Sequence, residues 1–350
     1  MRPMPKKKVA VAMSGGVDSS LAAALLKEAG SEVIGLHLKL WADPNYEQNI
    51  AILEQTCQVL DIPLYELNLE AEFQSLVINY FCDEYRRGRT PNPCPVCNKH
   101  IKFGHLLRRA LEMGADYLAS GHYARVKALL DGYRLLKASD LAKDQSYFLY
   151  ALGQSELEYL LLPLGNLRKE EVRRLAAARG LATSQPHESQ DICFIPDGDY
   201  RSFLVRYIPT KPGDIVDTSG QIVGAHSGLA GYTVGQRQGL GLSSPERRYV
   251  LELDVRQNRL VVGTKDELLR QRLMAGKLSW VAGRPPQDLH QITAKLRYQS
   301  RFAPISLYLR NGTARVEFHE PQSAVTPGQA IVFYQGDVVL GGGIIEESFK

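Results

Sequence analysis

Short apolar runs alternate with amphipathic stretches through the first half of the chain. The run Val9 to Met13 is apolar throughout, and an Ala/Leu-rich helix follows from about Asp18 to Ala29 and stops at Gly30. A wholly apolar strand of this length is typical of the buried middle of a parallel sheet. The alternation continues with predicted strands at "EVIGLHLKLW", "PLYELNL" and "DYLASGHYARV" and predicted helices over 47–60, 71–87, 98–113 and 167–180. This order predicts an α/β fold with a doubly wound parallel sheet.

The pattern changes after about Pro209, where glycines and prolines become frequent and long helical periodicity ends. Residues 249–264 read as a hairpin around Gln257-Asn258, and only strands follow Leu273, with Asn311-Gly312 as a hairpin turn. A small antiparallel β-barrel is the fold this predicts for the C-terminus. We therefore expect three domains: an α/β catalytic domain over 1–208, a small β-rich central domain over 209–272, and the barrel over 273–350.

The turn between the first strand and the first helix is "SGGVDS", residues 14–19. Its paired glycines let the backbone approach a ligand, and the helix start presents unpaired N–H groups. This geometry suits a phosphate. It is not the Walker loop, because no lysine follows Gly16. The stretch instead resembles the SGGxDS pyrophosphate loop of the ATP-pyrophosphatase superfamily, which cleaves ATP between its α- and β-phosphates.

That resemblance implies a role for each position of the turn. Ser14, Gly15, Gly16 and Ser19 would cradle the pyrophosphate, and Asp18 would face the Mg²⁺ that bridges it. The implied chemistry is adenylation, in which a substrate oxygen attacks the α-phosphate and AMP later leaves. The alternative is an ordinary glycine-rich turn from strand to helix.

The second informative stretch is "RRGRTPNPCPVCNKHIKFGHLL", residues 86–107. Its prolines predict that 91–96 stays out of helix, so that Cys94 and Cys97 lie on a rigid loop. Cys97 would fall at the start of the next helix, where unpaired N–H groups lower the pKa of a thiol. The arginines at 86, 87 and 89 would act in the same direction.

The remaining thiols divide into two kinds. Cys193 lies in "HESQDICFI", a polar loop before a strand-like run, and is a candidate for chemistry. Cys57 and Cys82 fall within predicted helices and read as buried packing residues.

A zinc site is an alternative for the cysteine stretch, because Cys94, Cys97, His100 and His105 are possible ligands. On an α-helix, however, the two histidines would lie roughly 140° apart and share no face. Reactive or metal–sulfur cysteine chemistry is favoured over both zinc and a purely structural loop.

Composition and charge limit the class of protein and the compartment to which the chain can belong. The 350 residues carry a formal charge of +4, which permits a nucleic-acid partner without requiring one. No apolar run approaches the ~20 residues of a membrane-spanning helix, and the basic start "MRPMPKKK" lacks a signal-peptide core. Five cysteines without an export signal indicate reduced thiols. We expect a cytoplasmic protein with no membrane partner.

SGGVDS, TPNPCxxCNxxIKF, GHY, KDQSYFL and SQDICF occur in this order. Over essentially its whole length the chain therefore resembles the tRNA-specific 2-thiouridylases. These enzymes of bacteria and organelles make 2-thiouridine at the wobble position of Lys, Glu and Gln tRNAs. The resemblance implies an ATP-dependent sulfurtransferase that binds tRNA, contacts it also through the central domain, and receives sulfur from a cysteine desulfurase or a sulfur carrier protein.

The resemblance also implies a set of site residues. Those that would hold ATP are Ala12, Met13, Ser14, Gly15, Gly16, Val17, Asp18 and Ser19, flanked by Leu38 and Gly121. Cys97 would be the nucleophile and Cys193 the persulfide carrier. The residues that would touch the target base or the rest of the tRNA are Asn92, Pro93, Cys94, Lys143, Asp144, Gln145, Arg297 and Tyr298.

One position departs from the family. Many members carry aspartate where this chain has Cys94, so a general acid or base role does not carry over. Two hypotheses remain open. One is a persulfide relay on Cys97 and Cys193, with Cys94 either dispensable or an auxiliary catalytic thiol. The other is a [4Fe-4S] cluster on Cys94, Cys97 and Cys193, as in other tRNA thiolases of the superfamily, and the missing aspartate favours it for this chain. The CxxC spacing fits both.

Two other functions compete with thiolation. A different adenylating ligase of the same fold, with ammonia or an amine as acceptor, would explain the SGGVDS loop but give the three cysteines no task. A non-catalytic tRNA-binding module would explain the barrel and the arginines but not the loop.

Overall fold

The computed structural model describes residues 6–181, 192–195, 198–243 and 246–350. Its strands, in chain order, are β1 (Lys8–Ala12), β2 (Glu32–Lys39), β3 (Leu64–Asn68), β4 (Tyr117–Ala119), β5 (Ala124–Leu129), β6 (Gly132–Lys137), β7 (Leu160–Leu161), β8 (Gly213–Val216), β9 (Ile222–His226), β10 (Tyr249–Asp254), β11 (Arg259–Gly263), β12 (Leu269–Trp280), β13 (Ile292–Lys295), β14 (Ala303–Arg310), β15 (Thr313–Ser323), β16 (Ala330–Gln335) and β17 (Val338–Phe349).

Helices cover the sheet of the N-terminal half and connect the later strands. They are α1 (Val17–Glu28), α2 (Tyr46–Val59), α3 (Glu70–Phe73), α4 (Asn79–Arg86), α5 (Pro93–Cys97), α6 (Leu107–Glu112), α7 (Gln154–Leu157), α8 (Lys169–Ala177) and α9 (Tyr200–Val205). Two π-helical segments, Gln74–Ile78 and Asn98–Leu106, join α3 to α4 and α5 to α6. Short 3-10 turns occur at Ser146–Leu149, Leu229–Gly231 and Asp266–Leu268. Within the described ranges no helix combines the length and the apolar character needed to cross a membrane.

The N-terminal sheet has the order β3-β2-β1-β4-β7, and all of its strands are parallel. The prediction of a parallel α/β sheet is confirmed. The apolar side chains of α1 are buried between this sheet and α8. Because β1 and β4 are parallel neighbours, the loop after β1 and the residues after β4 meet at one edge of the sheet, where ligands of such folds bind.

The stretch "DYLASGHYARV" is two strands rather than the single strand predicted. β4 ends at Ala119, and the chain turns through 120–123 before β5 begins. β5 pairs with β6, and β6 pairs with β17, so this hairpin extends a sheet of the C-terminal barrel. The N-terminal half and the barrel are therefore joined by backbone hydrogen bonds.

The cysteine stretch is helical, which corrects the predicted rigid loop. The side chain of Asn92 caps α5 by accepting a hydrogen bond from the N–H of Cys94 at 3.0 Å. Pro93 and Pro95 lie in the first turn of this helix, where backbone N–H groups have no intrahelical partner. The missing N–H groups therefore do not interrupt the helix, which continues through the π-helical segment into α6.

The C-terminal strands form the predicted barrel, with the order β12-β15-β14-β13-β16-β17 closed by pairing of β12 with β17. The central region contains the sheet β10-β11-β8-β9, and its predicted 249–264 hairpin is confirmed. The predicted strand "AKLRYQ" ends earlier, at Lys295, so Arg297 and Tyr298 lie in a turn rather than on a strand. The hydroxyl of Ser300 accepts hydrogen bonds from the N–H groups of Leu296 and Arg297, and these bonds hold the chain in that turn.

Candidate active site

The loop between β1 and α1 is closed by its own serines. The N–H of Ser14 donates to Oγ of Ser19 at 3.2 Å, and that hydroxyl donates to the carbonyl of Gly16 at 3.1 Å. Gly15 has a φ of 78°, a left-handed conformation that favours glycine. Gly16 begins α1 without a side-chain cap, so the first N–H groups of the helix remain open to an anion.

Gly121 brings the end of β4 against this loop. A Cβ atom at Gly121 would lie 2.7 Å from the carbonyl carbon of Asp18 and 2.8 Å from the nitrogen of Ser19. Both contacts are with rigid backbone, so a larger residue would push the two segments apart. Leu38, near the end of β2, is half-buried at the same edge of the sheet. The structure thus brings together the three segments predicted to hold a nucleotide.

The carboxylate of Asp18 is held by two side chains from elsewhere in the chain. Nζ of Lys169 lies 2.7 Å from Oδ1 and 2.8 Å from Oδ2, and the hydroxyl of Tyr123 donates to Oδ1 at 2.8 Å. The side chain of Asp18 stays 33% exposed, whereas that of Lys169 is 8% exposed. Sequence reasoning missed both partners, because no local pattern links positions more than 100 residues apart.

These contacts leave Asp18 able to bind a metal ion. A carboxylate offers about four acceptor positions, and the three hydrogen bonds above leave roughly one open. Mg²⁺ is commonly held by one or two protein carboxylates together with substrate phosphates. Asp18 therefore fits a Mg²⁺ ion through a single oxygen, beside the open end of α1.

We call residues 93–106, which comprise α5 and the π-helical segment after it, the cysteine helix. The pKa values of its thiols are higher than predicted. Burial raises the pKa of Cys97 to about 12 and that of Cys94 to about 11. The pKa of Cys193, whose side chain is exposed, is raised as well. The prediction of a lowered pKa at Cys97 was wrong, because Cys97 ends α5 instead of beginning a helix and loss of solvent outweighs nearby charge. The upstream arginines form ion pairs with Asp83 and Glu84.

The cation that acts on the thiols is Lys102. Its charge lowers the pKa of Cys94, Cys97 and Cys193 against the effect of burial, and it also lowers the pKa of His122. Sequence reasoning did not single out Lys102, because on an α-helix it would lie about 140° around from Cys97. It belongs instead to the π-helical segment, which winds more residues into each turn.

His122 lies between Lys102 and the loop over residues 14–19. It follows Gly121 directly, its Nδ1 lies 2.9 Å from the hydroxyl of Ser120, and its ring packs 5.7 Å from that of Phe103. Burial lowers the pKa of His122 well below its usual value, so the imidazole is neutral at physiological pH. Residues 120–122 thus contact the loop over residues 14–19 on one side and the cysteine helix on the other.

The sequence left two forms of metal ligation open for the cysteine stretch, a disfavoured zinc site and a [4Fe-4S] cluster. Among the residues that the structure describes, no three His, Cys, Asp or Glu side chains are arranged to hold a metal ion. The three thiols of the cluster hypothesis nevertheless lie near one another, because the charge of Cys193 raises the pKa of both Cys94 and Cys97. Cys57 and Cys82 are buried, as predicted, and burial raises the pKa of each to about 11.

The comparisons with known proteins agree with this architecture. The family model of the tRNA methyl transferase HUP domain matches residues 7–197, that of the PRC-barrel domain 201–264, and that of the aminomethyltransferase beta-barrel domain 270–345. The tRNA-specific 2-thiouridylase MnmA of Lachnoclostridium phytofermentans is 46% identical over 97% of this chain and 99% of its own length. The MnmA of Geobacter metallireducens is also 46% identical, over 99% and 98%.

The chain belongs to the tRNA-specific 2-thiouridylase family. The predictions of an α/β domain followed by β-rich parts and of a tRNA-modifying sulfurtransferase are confirmed, and the ligase and the non-catalytic module are not supported. The solved structure of the U34-tRNA thiolase NcsA from Methanococcus maripaludis with its [4Fe-4S] cluster is 20% identical, with a TM-score of 0.38 over 59% of this chain and 67% of that one. At this TM-score the likeness carries no information on the cofactor of the present 2-thiouridylase.

The residues that the 2-thiouridylase resemblance assigns to tRNA lie in different environments. Arg297 is exposed in the turn after β13, and the ring of Tyr298 packs 4.5 Å from that of Phe148.

Asp144 is 2% exposed, and its carboxylate accepts hydrogen bonds from the N–H of Ala138 and the hydroxyl of Ser146. The carboxylate of Asp144 is therefore engaged within the fold. Its neighbours Lys143 and Gln145 are half-buried. Positions 189–191 of the SQDICF motif lie outside the described residues.

Proposed function

We propose that this 2-thiouridylase uses ATP to convert the wobble uridine of Lys, Glu and Gln tRNAs into 2-thiouridine. The proposal rests on the observation that the parts of the site lie next to one another. An uncapped helix start suited to phosphate adjoins Gly121, and the next residue, His122, lies near Lys102. The charge of Lys102 in turn acts on Cys97 and Cys193. A nucleotide and a reactive sulfur can therefore meet at one base.

The first step is adenylation of the uracil. The C2 oxygen of the base attacks the α-phosphorus of ATP, the bond to the β-phosphate oxygen breaks, and pyrophosphate leaves as the base gives up its N3 proton. The carbonyl oxygen, a poor leaving group, thereby becomes part of AMP, a good one. The open N–H groups at the start of α1 stabilise the negative charge that develops on the pyrophosphate. Mg²⁺ held at Asp18 would neutralise phosphate charge.

The second step is sulfur transfer through Cys193 and Cys97. The thiolate of Cys193 attacks the outer sulfur of a persulfide on a cysteine desulfurase or sulfur carrier protein, so that Cys193 becomes a persulfide and the donor's thiol leaves. The terminal sulfur attacks C2 and AMP leaves. Cys97 then attacks the sulfur of Cys193, so that the base departs with its C2=S group and regains its N3 proton. A Cys97–Cys193 disulfide remains, and an external thiol reduces it.

Three observations support this relay. The charge of Cys193 raises the pKa of Cys97, so the two thiols that the relay uses lie near each other. A persulfide is a strong nucleophile near neutral pH, whereas the raised pKa of Cys193 keeps its plain thiol protonated there. Cys193 is also exposed, as delivery of sulfur by another protein requires.

The proposal also includes the bounds of the domains, the cellular compartment and the residues that contact tRNA. The domains extend over 1–208, 209–272 and 273–350, and the reaction takes place in the cytoplasm, where thiols stay reduced. The tRNA contacts the protein through Asn92 to Cys94, through Lys143 to Gln145 and through the Arg297 turn. An anticodon-loop base can be splayed into the site without opening a duplex.

One assay tests the proposal. Purified protein is incubated with ATP, Mg²⁺ and a persulfide donor, with and without unmodified tRNA, and pyrophosphate, AMP and 2-thiouridine are quantified. We expect equimolar AMP and 2-thiouridine that depend on tRNA and are lost in Cys97→Ser, whereas Cys57→Ser behaves as wild type. Turnover of ATP with ammonia or an amine in place of tRNA would refute the proposal, as would the absence of any turnover.

A further inference from the structure

The ion pair between Lys169 and Asp18 is unusual in its position. Lys169 begins α8 and its side chain is 8% exposed, yet its ammonium group reaches both oxygens of a carboxylate in the first turn of α1. Removing an ammonium group from water is costly unless other groups compensate for the loss of hydration. Here the chain places a nearly buried cation beside the helix end that is open to an anion.

The position of this cation corresponds to a residue that the loop itself lacks. A Walker loop carries a lysine that reaches the β- and γ-phosphates, and residues 14–19 contain none. Lys169 supplies a lysine to the first turn of α1 from 151 positions further along the chain. Its positive charge offsets the negative charge of Asp18 beside the start of α1.

Several contacts hold Lys169 in this position. Its backbone N–H donates to Oδ2 of Asp140 at 3.0 Å, and its ammonium lies 5.5 Å from the centre of the Tyr123 ring. Val172 and Ala176 on the next turns of α8 are buried against Leu21 of α1. The two helices are thus packed together, and the lysine is fixed relative to the loop before any ligand arrives.

We propose that Lys169 binds the β- and γ-phosphates of ATP and then the departing pyrophosphate, with Asp18 as the group that aims it. This inference rests on the proposed use of ATP and adds a phosphate-binding residue to it. Asp18 contributes one oxygen to Mg²⁺ and keeps the ammonium at the start of α1. Lys169 contributes the positive charge that the loop sequence does not contain.

Equilibrium binding of nucleotides tests the assignment separately from turnover. Dissociation constants of ATP, pyrophosphate and AMP are measured by calorimetry in the presence of Mg²⁺ for wild type, Lys169→Met and Lys169→Arg. A lost charge-assisted hydrogen bond weakens binding by roughly tenfold or more, so we expect that loss for ATP and pyrophosphate in Lys169→Met. AMP lacks the β- and γ-phosphates and should bind as in wild type, which also shows that the site is folded. Lys169→Arg should recover part of the ATP affinity.

The matched control is Lys27→Met, which removes another lysine paired with an aspartate, Asp61, at 2.9 Å on an exposed surface. It should leave all three constants unchanged. Equal affinity of wild type and Lys169→Met for ATP would overturn the assignment, and so would an equal loss for ATP and AMP, which would indicate a structural role alone. If wild type itself fails to bind ATP, the proposed use of ATP fails, and the assignment fails with it.

Discussion

Arg89 and Glu84 form an ion pair just before the cysteine helix, with Nε of the arginine 2.8 Å from Oε2 of the glutamate. The Glu84 side chain is 2% exposed. Arg89 also donates from Nη2 to the carbonyl of Ile345 in the barrel at 3.1 Å, and the N–H of Thr90 donates to the carbonyl of Pro327 at 2.9 Å. The segment that leads into the helix of Cys94 and Cys97 is therefore fixed to the C-terminal barrel.

Arg89→Ala should destabilise the protein strongly. Among the described residues, it leaves the buried carboxylate of Glu84 with the exposed and more distant Arg87 as its ion-pair partner, at 3.5 Å. Breaking a buried pair in this way costs about 3 kcal/mol or more, which a urea titration followed by circular dichroism would reveal as a lower free energy of unfolding.

Arg109→Ala is the comparison for that measurement. Arg109 pairs with Glu112 at 3.0 Å with both side chains more than half exposed, so its loss should change the stability by about 0.5 kcal/mol or less. Similar effects of the two substitutions would show that the Arg89 pair does not stabilise the domain junction.

Asp18→Ala should abolish AMP formation, because it removes the proposed Mg²⁺ contact and the anchor of Lys169. Binding of tRNA should survive, since the proposed tRNA contacts lie elsewhere. Filter binding and AMP formation on one preparation measure both. Asp131→Ala, which removes an exposed carboxylate paired with Arg134, is the control. AMP formation within a few-fold of wild type would show that Asp18 does not hold the metal.

Arg297→Ala should weaken tRNA binding and reduce the salt dependence of the binding constant by about one unit of slope, as expected for loss of one phosphate contact. Arg297 is exposed in its turn, and Arg310, exposed at the end of β14, provides the matched substitution in the same barrel. An unchanged slope for Arg297→Ala would identify it as a solvated surface residue.

The thiols should alkylate slowly near neutral pH in the protein without substrates. Because burial raises the pKa of Cys97 to about 12 and of Cys94 to about 11, the thiolate fraction of each rises steadily between about pH 7 and about pH 9. Cys193, which is exposed, should react first. Mass spectrometry after timed iodoacetamide treatment would measure this order.

Lys102→Met should slow the alkylation of the cysteines further, because it removes the charge that lowers their pKa values. Lys99→Met removes an exposed lysine of the same helical segment and should have no effect. Equal rates in Lys102→Met and wild type would show that Lys102 does not act on the thiols.

The sequence predicted the elements that depend on local pattern. The apolar run of β1, the glycine turn before α1 and the alternating strands of the barrel each express a short periodicity. It did not predict the helix at Pro93–Cys97, because the caution about proline applies to helix interiors and not to a first turn. The Lys169–Asp18 pair and the pairing of β6 with β17 arise from tertiary packing, which no local pattern encodes.

The relay on Cys97 and Cys193 is the central claim, and Cys94 tests it most directly. The measurement is 2-thiouridine formation under anaerobic conditions by wild type, Cys94→Ala, Cys97→Ala and Cys193→Ala, with iron and sulfide determined in the same preparations. The relay predicts that Cys94→Ala keeps substantial activity, that the other two variants lose it, and that none of the proteins contains stoichiometric iron. Iron and sulfide in the active wild type, together with a Cys94→Ala variant as inactive as Cys97→Ala and Cys193→Ala, would contradict the relay and assign the sulfur to a cluster.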